Sequence, residues 1–333
     1  WSDRPLKFQG QVNDTAALGV YLGDAFGNLE LLYRDRAIGS QYPLPVRPRP
    51  RPPVLSSQAA PEGPQEATLL LLDVHQGLDG VAAKSVKQLR VVGMPVKTHP
   101  TMDYPSIGVT THDSGRFVLG TVPVENDGSA MFRVPSGVTL FFQALDADGM
   151  AVQTMRSGVY LQPGQTYTCV GCHEPRGTAP TNAFPLAAAR GPSKIAPGPV
   201  GSWPLDYAAL VQPVLEEHCV ACHKPAATGE TFDLRAEKSY NTLATYGSPS
   251  LKDLVVLRYR QQQSIAGQCE ARMNPLWKLL DRGHYDVRLD ADGRERLITW
   301  MDTLGQRSGS FSKAQEGELR DLRAKCADLL ASP

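Results

Sequence analysis

Apolar and polar residues alternate along the first two thirds of the chain, and the spacing becomes helical after about residue 205. Short alternating runs include ATLLLLDV at 67–74, GRFVLGTVPV at 115–124 and VTLFFQAL at 138–145. Turn sequences such as ENDGS and DADG separate these runs. Short β-rich runs between Gly, Asn and Asp residues predict an antiparallel, sandwich-like β domain over residues 67–176.

From residue 205 onward, apolar residues recur at intervals of three and four positions. The segments LDYAALVQPVLEEHC, PLWKLLDRG and RERLITWMDTLG have this spacing, as does the charged C-terminal run SKAQEGELRDLRAKCADLL. The spacing is typical of amphipathic helices and predicts a small all-α domain over residues 205–333. The Pro/Gly/Ala-rich segment 177–204 is predicted to link it to the β domain.

The N-terminal part of the chain is predicted to form two different pieces. Residues 16–35 alternate around FGN, which is the pattern of a β-hairpin, and residues 1–41 are assigned to terminal strands. An isolated two-stranded ribbon is marginal in water, so we expect these strands to pair outside residues 1–333. Residues 42–66 contain YPLPVRPRPRPPV, which favours a semi-rigid polyproline strap.

Composition argues against several classes of partner. The 333 residues carry 34 Lys and Arg against 34 Asp and Glu, without a long run of one sign. We therefore expect no nucleic-acid partner. No apolar run reaches the roughly 18 to 20 residues that span a bilayer, so no membrane span is expected. The chain begins without a signal-peptide pattern, and its compartment has to be inferred from its chemistry.

Four of the six cysteines lie in two copies of one pentapeptide, CVGCH at 169–173 and CVACH at 219–223. Cys-x-x-Cys-His is the attachment motif of c-type haem, in which two thiols bond the porphyrin and the adjacent imidazole ligates the iron. We therefore predict two covalently bound haem c groups. Their residues are Cys169, Cys172 and His173 for haem 1, and Cys219, Cys222 and His223 for haem 2.

Two other uses of paired cysteines are disfavoured. Structural zinc sites usually space their Cys pairs by about 15 to 20 residues, whereas 46 residues separate Cys172 from Cys219. A thioredoxin-like dithiol is disfavoured because no βαβ pattern surrounds either motif. Zinc is therefore not expected as the cofactor.

The second axial ligand of haem 2 is expected from a distant part of the helical domain. His284 is preferred, because a helix that ends at Gly283 places this histidine in a loop from which it can reach inward. Met273 and Met301 are the alternatives in the same domain. His218, next to the motif, would ligate the other iron if the two haems lie close together.

The sixth ligand of haem 1 stays open, because its motif follows β structure and no cytochrome helix. The alternatives are His75, His99, His112, Met155 and an open, water-filled position. An iron with two protein ligands suits electron transfer, whereas an open position lets a small molecule bind and react.

Covalent haem attachment takes place outside the cytoplasm, and this sets the expected compartment. We predict a periplasmic or otherwise extracytoplasmic bacterial protein. Oxidised cysteines are stable there, so Cys269 and Cys326 are predicted to form a disulfide within the helical domain. Two buried free thiols are the alternative.

Several stretches resemble one known family. GTVPVENDGSAMFRVPSGVTLFFQALDADGMAVQTMRSGVYLQPGQTYTCVGCHEPR resembles the middle domain of the hydrazine synthase alpha-subunit family. LLDRGHYDVRLDADGRERLITWMDTLG resembles the C-terminal cytochrome domain of that family. The first hairpin and YPLPVRPRPRPP are similar to the end of its N-terminal β-propeller and the strap that follows. The resemblance covers nearly the whole chain.

The resemblance implies a catalytic haem in the middle domain and a bis-histidine electron relay in the C-terminal domain, which supports His223 with His284. In the enzyme, a tyrosine shortly after the middle-domain motif binds the iron, and the motif histidine is drawn toward zinc. This chain has no tyrosine in CHEPRGTAP, where the fourth residue past His173 is Gly177. The difference favours ordinary ligation by His173.

The sequence thus predicts a multidomain β-plus-α protein, an extracytoplasmic dihaem cytochrome c in which a β domain precedes a class I-like cytochrome domain. It is expected to transfer electrons within a larger redox complex and to need a redox partner protein. The alternative is a haem oxidoreductase that acts on a small nitrogen or oxygen compound at haem 1, with haem 2 as the electron relay.

Overall fold

The computed structural model describes most of the chain, which divides into two compact units, Trp1–Ser56 and Ser57–Pro333. The described residues are 2–4, 13–54, 60–99, 101, 103–173, 177, 179, 183–224 and 232–332. Within these ranges, no helix is long and apolar enough to cross a bilayer.

The first unit contains an antiparallel hairpin. Strand β1 (Val20–Gly23) pairs with β2 (Leu29–Tyr33), and Gly27 takes a positive φ of 91° in the turn between them. All five residues of β2 are exposed, so the ribbon buries little apolar surface. Residues 42–54, in the predicted strap, contain no helix or strand. The pairing of this hairpin outside residues 1–333 stays a prediction.

The second unit contains two β-sheets. Their strands are β3 (Glu66–Leu71), β4 (Gln88–Met94), β5 (Phe117–Pro123), β6 (Ala130–Pro135), β7 (Thr139–Leu145), β8 (Ala151–Thr154), β9 (Val159–Tyr160), β10 (Thr166–Cys169) and β11 (Ala196–Pro197). The smaller sheet has the order β10-β3-β6, and the larger has the order β11-β5-β4-β7-β8 with β9 beside β7.

The alternating pattern of the strands produces a core between the two sheets. Strand β3 buries Leu69 and Leu71 on one face, and these residues share a core with Val91 of β4 and Phe132 of β6. Burying one face of each strand against the other sheet is the general solution for such patterns. The sandwich-like β part is therefore present as predicted.

One strand pairing differs from the antiparallel prediction. Strand β10 runs parallel to β3, with Cys169 opposite Leu71, whereas the other pairings are antiparallel among the strands that the structure describes. Parallel neighbours are joined by long connections, which leave no local turn signal in the sequence. The segments that follow β3 and β10 consequently leave the sheet at the same edge.

The helical part has its own core. The helices are α1 (Leu186–Arg190), α2 (Tyr207–Leu210), α3 (Gln212–His218), α4 (Ser239–Ala244), α5 (Leu251–Gln261), α6 (Glu270–Met273), α7 (Pro275–Arg282), α8 (Ala291–Asp302) and α9 (Lys313–Lys325). Ser250 and Asp253 form a capping box at α5. Fully buried Trp300 and Met301 of α8 lie in this helical core. The prediction of a multidomain β-plus-α protein is confirmed at this level.

The ends of the helical region pack on the sheets. The segment predicted as a linker at 177–204 contains α1 and β11, and its Ile195 and Trp203 are buried in the core between the sheets. Leu319 of α9 belongs to the same core. Ile195 also exchanges backbone hydrogen bonds with the chain after α9, since its N–H donates to Leu329 and its carbonyl accepts from Ala331.

Candidate functional site

A cavity of about 720 Å³ lies in the helical part beside the second Cys-x-x-Cys-His motif. Most of its wall is apolar and comes from α3, α7, α8 and the chain near α4. The apolar lining residues are Leu215, Phe232, Leu234, Leu243, Leu276, Leu279, Leu280, Val287, Leu289 and Leu297. The volume falls in the range of roughly 300 to 1,000 Å³ that is usual for ligand and cofactor sites.

The second motif continues the end of α3 as a hydrogen-bonded turn. The backbone N–H of Cys219 donates to the Leu215 carbonyl at 2.8 Å, and the N–H of His223 donates to the Cys219 carbonyl at 2.9 Å. This turn places both cysteines and His223 along the cavity wall. Burial, with a smaller contribution from Cys222, raises the pKa of the Cys219 thiol to about 11. Cys222 is exposed at the rim.

His284 faces His223 across this cavity. The centroids of the two imidazole rings lie 5.8 Å apart and the ring planes differ by 16°. Because a metal–imidazole bond is about 2 Å long, two imidazoles on opposite sides of one metal ion have centroids roughly 6 Å apart. The separation of the two rings therefore matches a pair of axial ligands.

The loop that carries His284 follows the end of α7. Gly283 takes a positive φ of 93°, which ends the helix, and the N–H of Val287 donates to the His284 carbonyl at 3.1 Å. Met301, by contrast, is fully buried in the helical core, and neither it nor Met273 lines the cavity. His218 does line the cavity. The geometry favours His284 among the candidates for the second ligand.

The first motif lies where β10 ends. Cys169 and Cys172 line a cavity of about 90 Å³ together with apolar side chains such as Phe142, and His173 is exposed. This volume is well below the roughly 300 Å³ at which cofactor sites begin. The described residues therefore do not enclose a porphyrin at this motif. Residues 174–176, 178 and 180–182 lie outside the described part of the chain.

Two of the four candidate ligands for haem 1 lie near the first motif. Met155 lines the small cavity with both cysteines. The segment after β3 packs on the motif, since the N–H of His173 donates to the Gln76 carbonyl at 3.4 Å. His75 lies in that segment. Its Nδ1 is 3.2 Å from a carboxylate oxygen of Asp73, and its buried Nε2 has no hydrogen-bond partner among the described residues.

The other two candidates contact different residues. His99 packs edge-on against Tyr104, with ring centroids 4.7 Å apart. His112 pairs with Asp103 at 2.9 Å and is exposed. Neither of them lines the cavity at Cys169 and Cys172.

Cys269 and Cys326 do not form the predicted disulfide, and both are free thiols. Cys269 is buried in a small cluster with Leu145 and Ala151, whereas Cys326 is buried in the core between the sheets. Burial raises the pKa of both thiols, that of Cys326 to about 11. The physical reason is packing, because α9 lies on the sheets and carries Cys326 into a different core.

Metal-binding groups are otherwise sparse. In the described ranges, no group of three or more His, Cys, Asp or Glu side chains is placed to hold a metal ion. A closed structural zinc site uses four such ligands.

Phe232 and Tyr285 were not identified from sequence, yet they contact the rings of His223 and His284, with centroids 5.0 Å and 4.8 Å away. Their contacts come from the fold, and no sequence motif marks them.

Part of the chain is similar in sequence to known proteins. Residues 84–174 match the family model described as the hydrazine synthase alpha subunit middle domain. Hydrazine synthase subunit alpha of Kuenenia stuttgartiensis is 30% identical over 113 residues, which are 30% of this chain and 14% of that protein. The solved structure of Kuenenia stuttgartiensis hydrazine synthase has a TM-score of 0.49 at 19% identity and covers 74% of this chain and 44% of its own. The chain thus spans less than half the length of these relatives.

Proposed function

We propose, on the premise that residues 84–174 belong to the hydrazine synthase alpha-subunit family, that this chain is part of a haem-containing redox protein. In this proposal, residues 205–333 form a c-type cytochrome domain that transfers electrons. The observation that carries the proposal is the cavity of about 720 Å³ that contains both thiols of CVACH and two opposed imidazoles.

The residues around this cavity fit a covalently bound haem. The thiols of Cys219 and Cys222 would hold the porphyrin, and His223 and His284 would ligate its iron from opposite sides. Bound haem supplies reversible one-electron chemistry. If both imidazoles ligated the iron, no position would remain there for a substrate, and the leucine-rich wall would give the haem mainly apolar surroundings. These features favour an electron carrier.

A second haem is proposed at Cys169 and Cys172, with His173 as its ligand, because the attachment motif is complete. The described residues leave only about 90 Å³ there, which is too little for a porphyrin, and we assign no reaction to this site. Covalent attachment at both motifs implies an extracytoplasmic, periplasmic location. Because the matched relative is named as a subunit of hydrazine synthase, we propose that this chain works within a larger complex with a redox partner protein.

Haem attachment can be tested motif by motif. The full chain is produced in a bacterial host with its cytochrome c maturation system, and the intact mass and pyridine haemochrome are measured. We expect two haems per wild-type chain and one per chain in a C219A/C222A variant. The C169A/C172A variant is the matched control and should also retain one haem. A mass equal to that of the bare polypeptide would refute the proposal.

A further inference from the structure

A separate cavity of about 120 Å³ lies where the sheets meet the helices. Its lining includes Arg116 just before β5, the end of β8 and the segment after it, α5 and the chain from there to the start of α6, and Asp302 at the end of α8. Its charged and phenolic lining residues are Arg116, Arg156, Arg258, Tyr259, Glu270 and Asp302. We call it the interface cavity. Met155 lines both this cavity and the small cavity at Cys169 and Cys172.

The two carboxylates at the interface cavity already interact with other groups of the protein. Glu270 accepts from the Arg258 guanidinium at 3.3 Å, and both side chains are buried. The Asp302 carboxylate accepts the backbone N–H groups of Ala151 at 2.8 Å and Ala271 at 3.0 Å. It also lies 3.7 Å from Arg90. Neither carboxylate neutralises the remaining arginines of the cavity.

Arg116 and Arg156 form no ion pair with any of the residues that the structure describes. Arg116 is only 7% exposed and donates to the Thr303 carbonyl at 3.3 Å. Arg156 donates to the Arg258 carbonyl at 2.9 Å. A guanidinium carries five N–H donors, and a buried charge is costly unless it is paired. Arg116 is therefore a buried positive charge without a counter-charge at the cavity wall, and the exposed Arg156 adds a second cation at its mouth.

The Asp113 carboxylate, which lies outside the cavity lining, does not neutralise Arg116 either. Asp113 accepts from the Tyr259 hydroxyl at 2.9 Å and from the Thr110 backbone N–H at 2.9 Å. It forms no ion pair with Arg116 within the described residues. Its carboxylate thus accepts from neutral donors. Tyr259 itself lines the cavity, and Arg116 opposes the rise in the pKa of Tyr259 that burial causes.

We propose that the interface cavity binds a small planar oxyanion, such as a carboxylate or nitrate ion, between Arg116 and Arg156. The planar guanidinium fork matches two oxygens of such an anion. The volume is sufficient, because an apolar cavity of roughly 150 Å³ holds a benzene molecule. Arg156 and Ser157 are exposed, so the anion can enter between them. This site does not depend on the haem proposal.

Anion binding in the interface cavity is coupled to protonation of the Glu270 carboxylate. Burial and the neighbouring Asp302 raise the pKa of Glu270 to about 7, although Arg258 opposes this. The charged groups that face it are Arg258 from α5, Asp302 from α8, and Arg116 and Arg156 across the cavity, with the neutral thiol of Cys269 beside it. An anion adds negative charge near Glu270 and favours its protonated form. Anion affinity should therefore fall as the pH rises, by up to about tenfold per pH unit for one coupled proton.

Calorimetric titration of the haem-loaded full chain with sodium formate and sodium nitrate, at constant ionic strength in a zwitterionic buffer free of other oxyanions, tests the site. We expect one anion per chain and at least tenfold weaker binding in R116Q and R156Q. The control variant is R133Q, because Arg133 of β6 is exposed and pairs with Glu66 at 2.9 Å. R133Q should bind the anion with unchanged affinity. The E270Q variant should bind the anion with nearly the same affinity at pH 6 and at pH 8.

Three results would overturn the proposal: no saturable heat in the millimolar range, equal affinity in wild type and R156Q, or an affinity of wild type that does not change with pH. R156Q keeps the test decisive if R116Q fails to fold, because Arg156 is exposed. The haem absorption spectrum is recorded in the same titration. Formate that binds at a haem iron changes this spectrum, whereas binding in the interface cavity leaves it unchanged.

Discussion

Arg90 of β4 and Asp302 at the end of α8 are both almost fully buried and lie 3.7 Å apart across the boundary between the sheets and the helices. Gln143 of β7 bridges them, since its side-chain oxygen accepts from Arg90 at 2.8 Å and its amide nitrogen donates to the Asp302 carbonyl at 2.8 Å. Asp302 therefore links a strand of the larger sheet to two helices.

Removing the Asp302 carboxylate should strongly destabilise the chain. The substitution D302A leaves a buried Arg90 without its counter-charge and leaves the N–H groups of Ala151 and Ala271 without acceptors. Breaking a buried ion pair on one side typically costs about 3 to 5 kcal/mol. We expect a loss of that size in the free energy of unfolding, measured by urea denaturation of the haem-loaded protein.

The exposed pair of Arg133 and Glu66 is the control for this measurement, because partly exposed ion pairs contribute about 0 to 1 kcal/mol. E66Q should therefore change stability by less than about 1 kcal/mol. Equal effects of D302A and E66Q would show that the buried pair does not join the sheets to the helices.

Replacing His284 should change the ligation and the spin state of the haem 2 iron without releasing the haem. The substitution H284A removes one of the two imidazoles whose centroids are 5.8 Å apart, while the thiols of Cys219 and Cys222 stay in place. We expect an unchanged number of haems per chain by intact mass, and a shift of one haem from low-spin to high-spin iron that binds carbon monoxide. Absorption and electron paramagnetic resonance spectra measure this shift.

The matched control is M273A, because Met273 is an alternative second ligand of the haem 2 iron and does not line the cavity. Its spectrum should equal that of the wild type. If M273A changes the spin state and H284A does not, the assignment of the second ligand is wrong.

The stability of the chain should fall as the pH rises from about 5 to 7. Burial and Asp302 raise the pKa of Glu270 from 4.5 to about 7 in the folded protein. The folded state therefore holds this proton more tightly than the unfolded state, and the stabilisation is lost as the pH passes the folded value. We expect the urea midpoint of the wild type to fall across this window and that of E270Q to fall less.

A substitution of the exposed Glu237 controls for general charge effects. E237Q should follow the wild-type pH profile, because its carboxylate is solvent-exposed. A profile of E270Q that is identical to the wild type would show that Glu270 titrates as an ordinary exposed carboxyl.

The sequence was most informative where a local signal exists. The position of His284 in a loop follows from Gly283, which ends α7, and the turn at Cys219 follows from the helix before it. The parallel pairing of β10 with β3 has no such signal, because Cys169 and Leu71 are distant in sequence. Consequently the position of His75 beside the first motif could not be predicted from spacing.

The interface cavity was likewise invisible in the sequence. Its arginines come from the residue before β5, the segment after β8 and α5, and none of them lies in a motif. The Pro/Gly/Ala-rich segment 177–204 likewise contains Ile195 and Trp203, which are buried in the core, and its composition does not indicate this. Scattered apolar residues in such a segment gain their packing from distant strands, and periodicity does not detect this.

Cys269 and Cys326 should be alkylated together only after unfolding. Both thiols are buried, at 3% and 5% exposure, and burial raises the pKa of each, so at neutral pH both are protonated and react slowly. Iodoacetamide, without a reductant, should label neither residue in the native protein and both in urea, as measured by peptide mass spectrometry. The C269S variant serves as the control and should lose one of the two labels. A peptide pair linked through Cys269 and Cys326 would show instead that the two clusters rearrange to form the disulfide, and that α9 then leaves its position on the sheets.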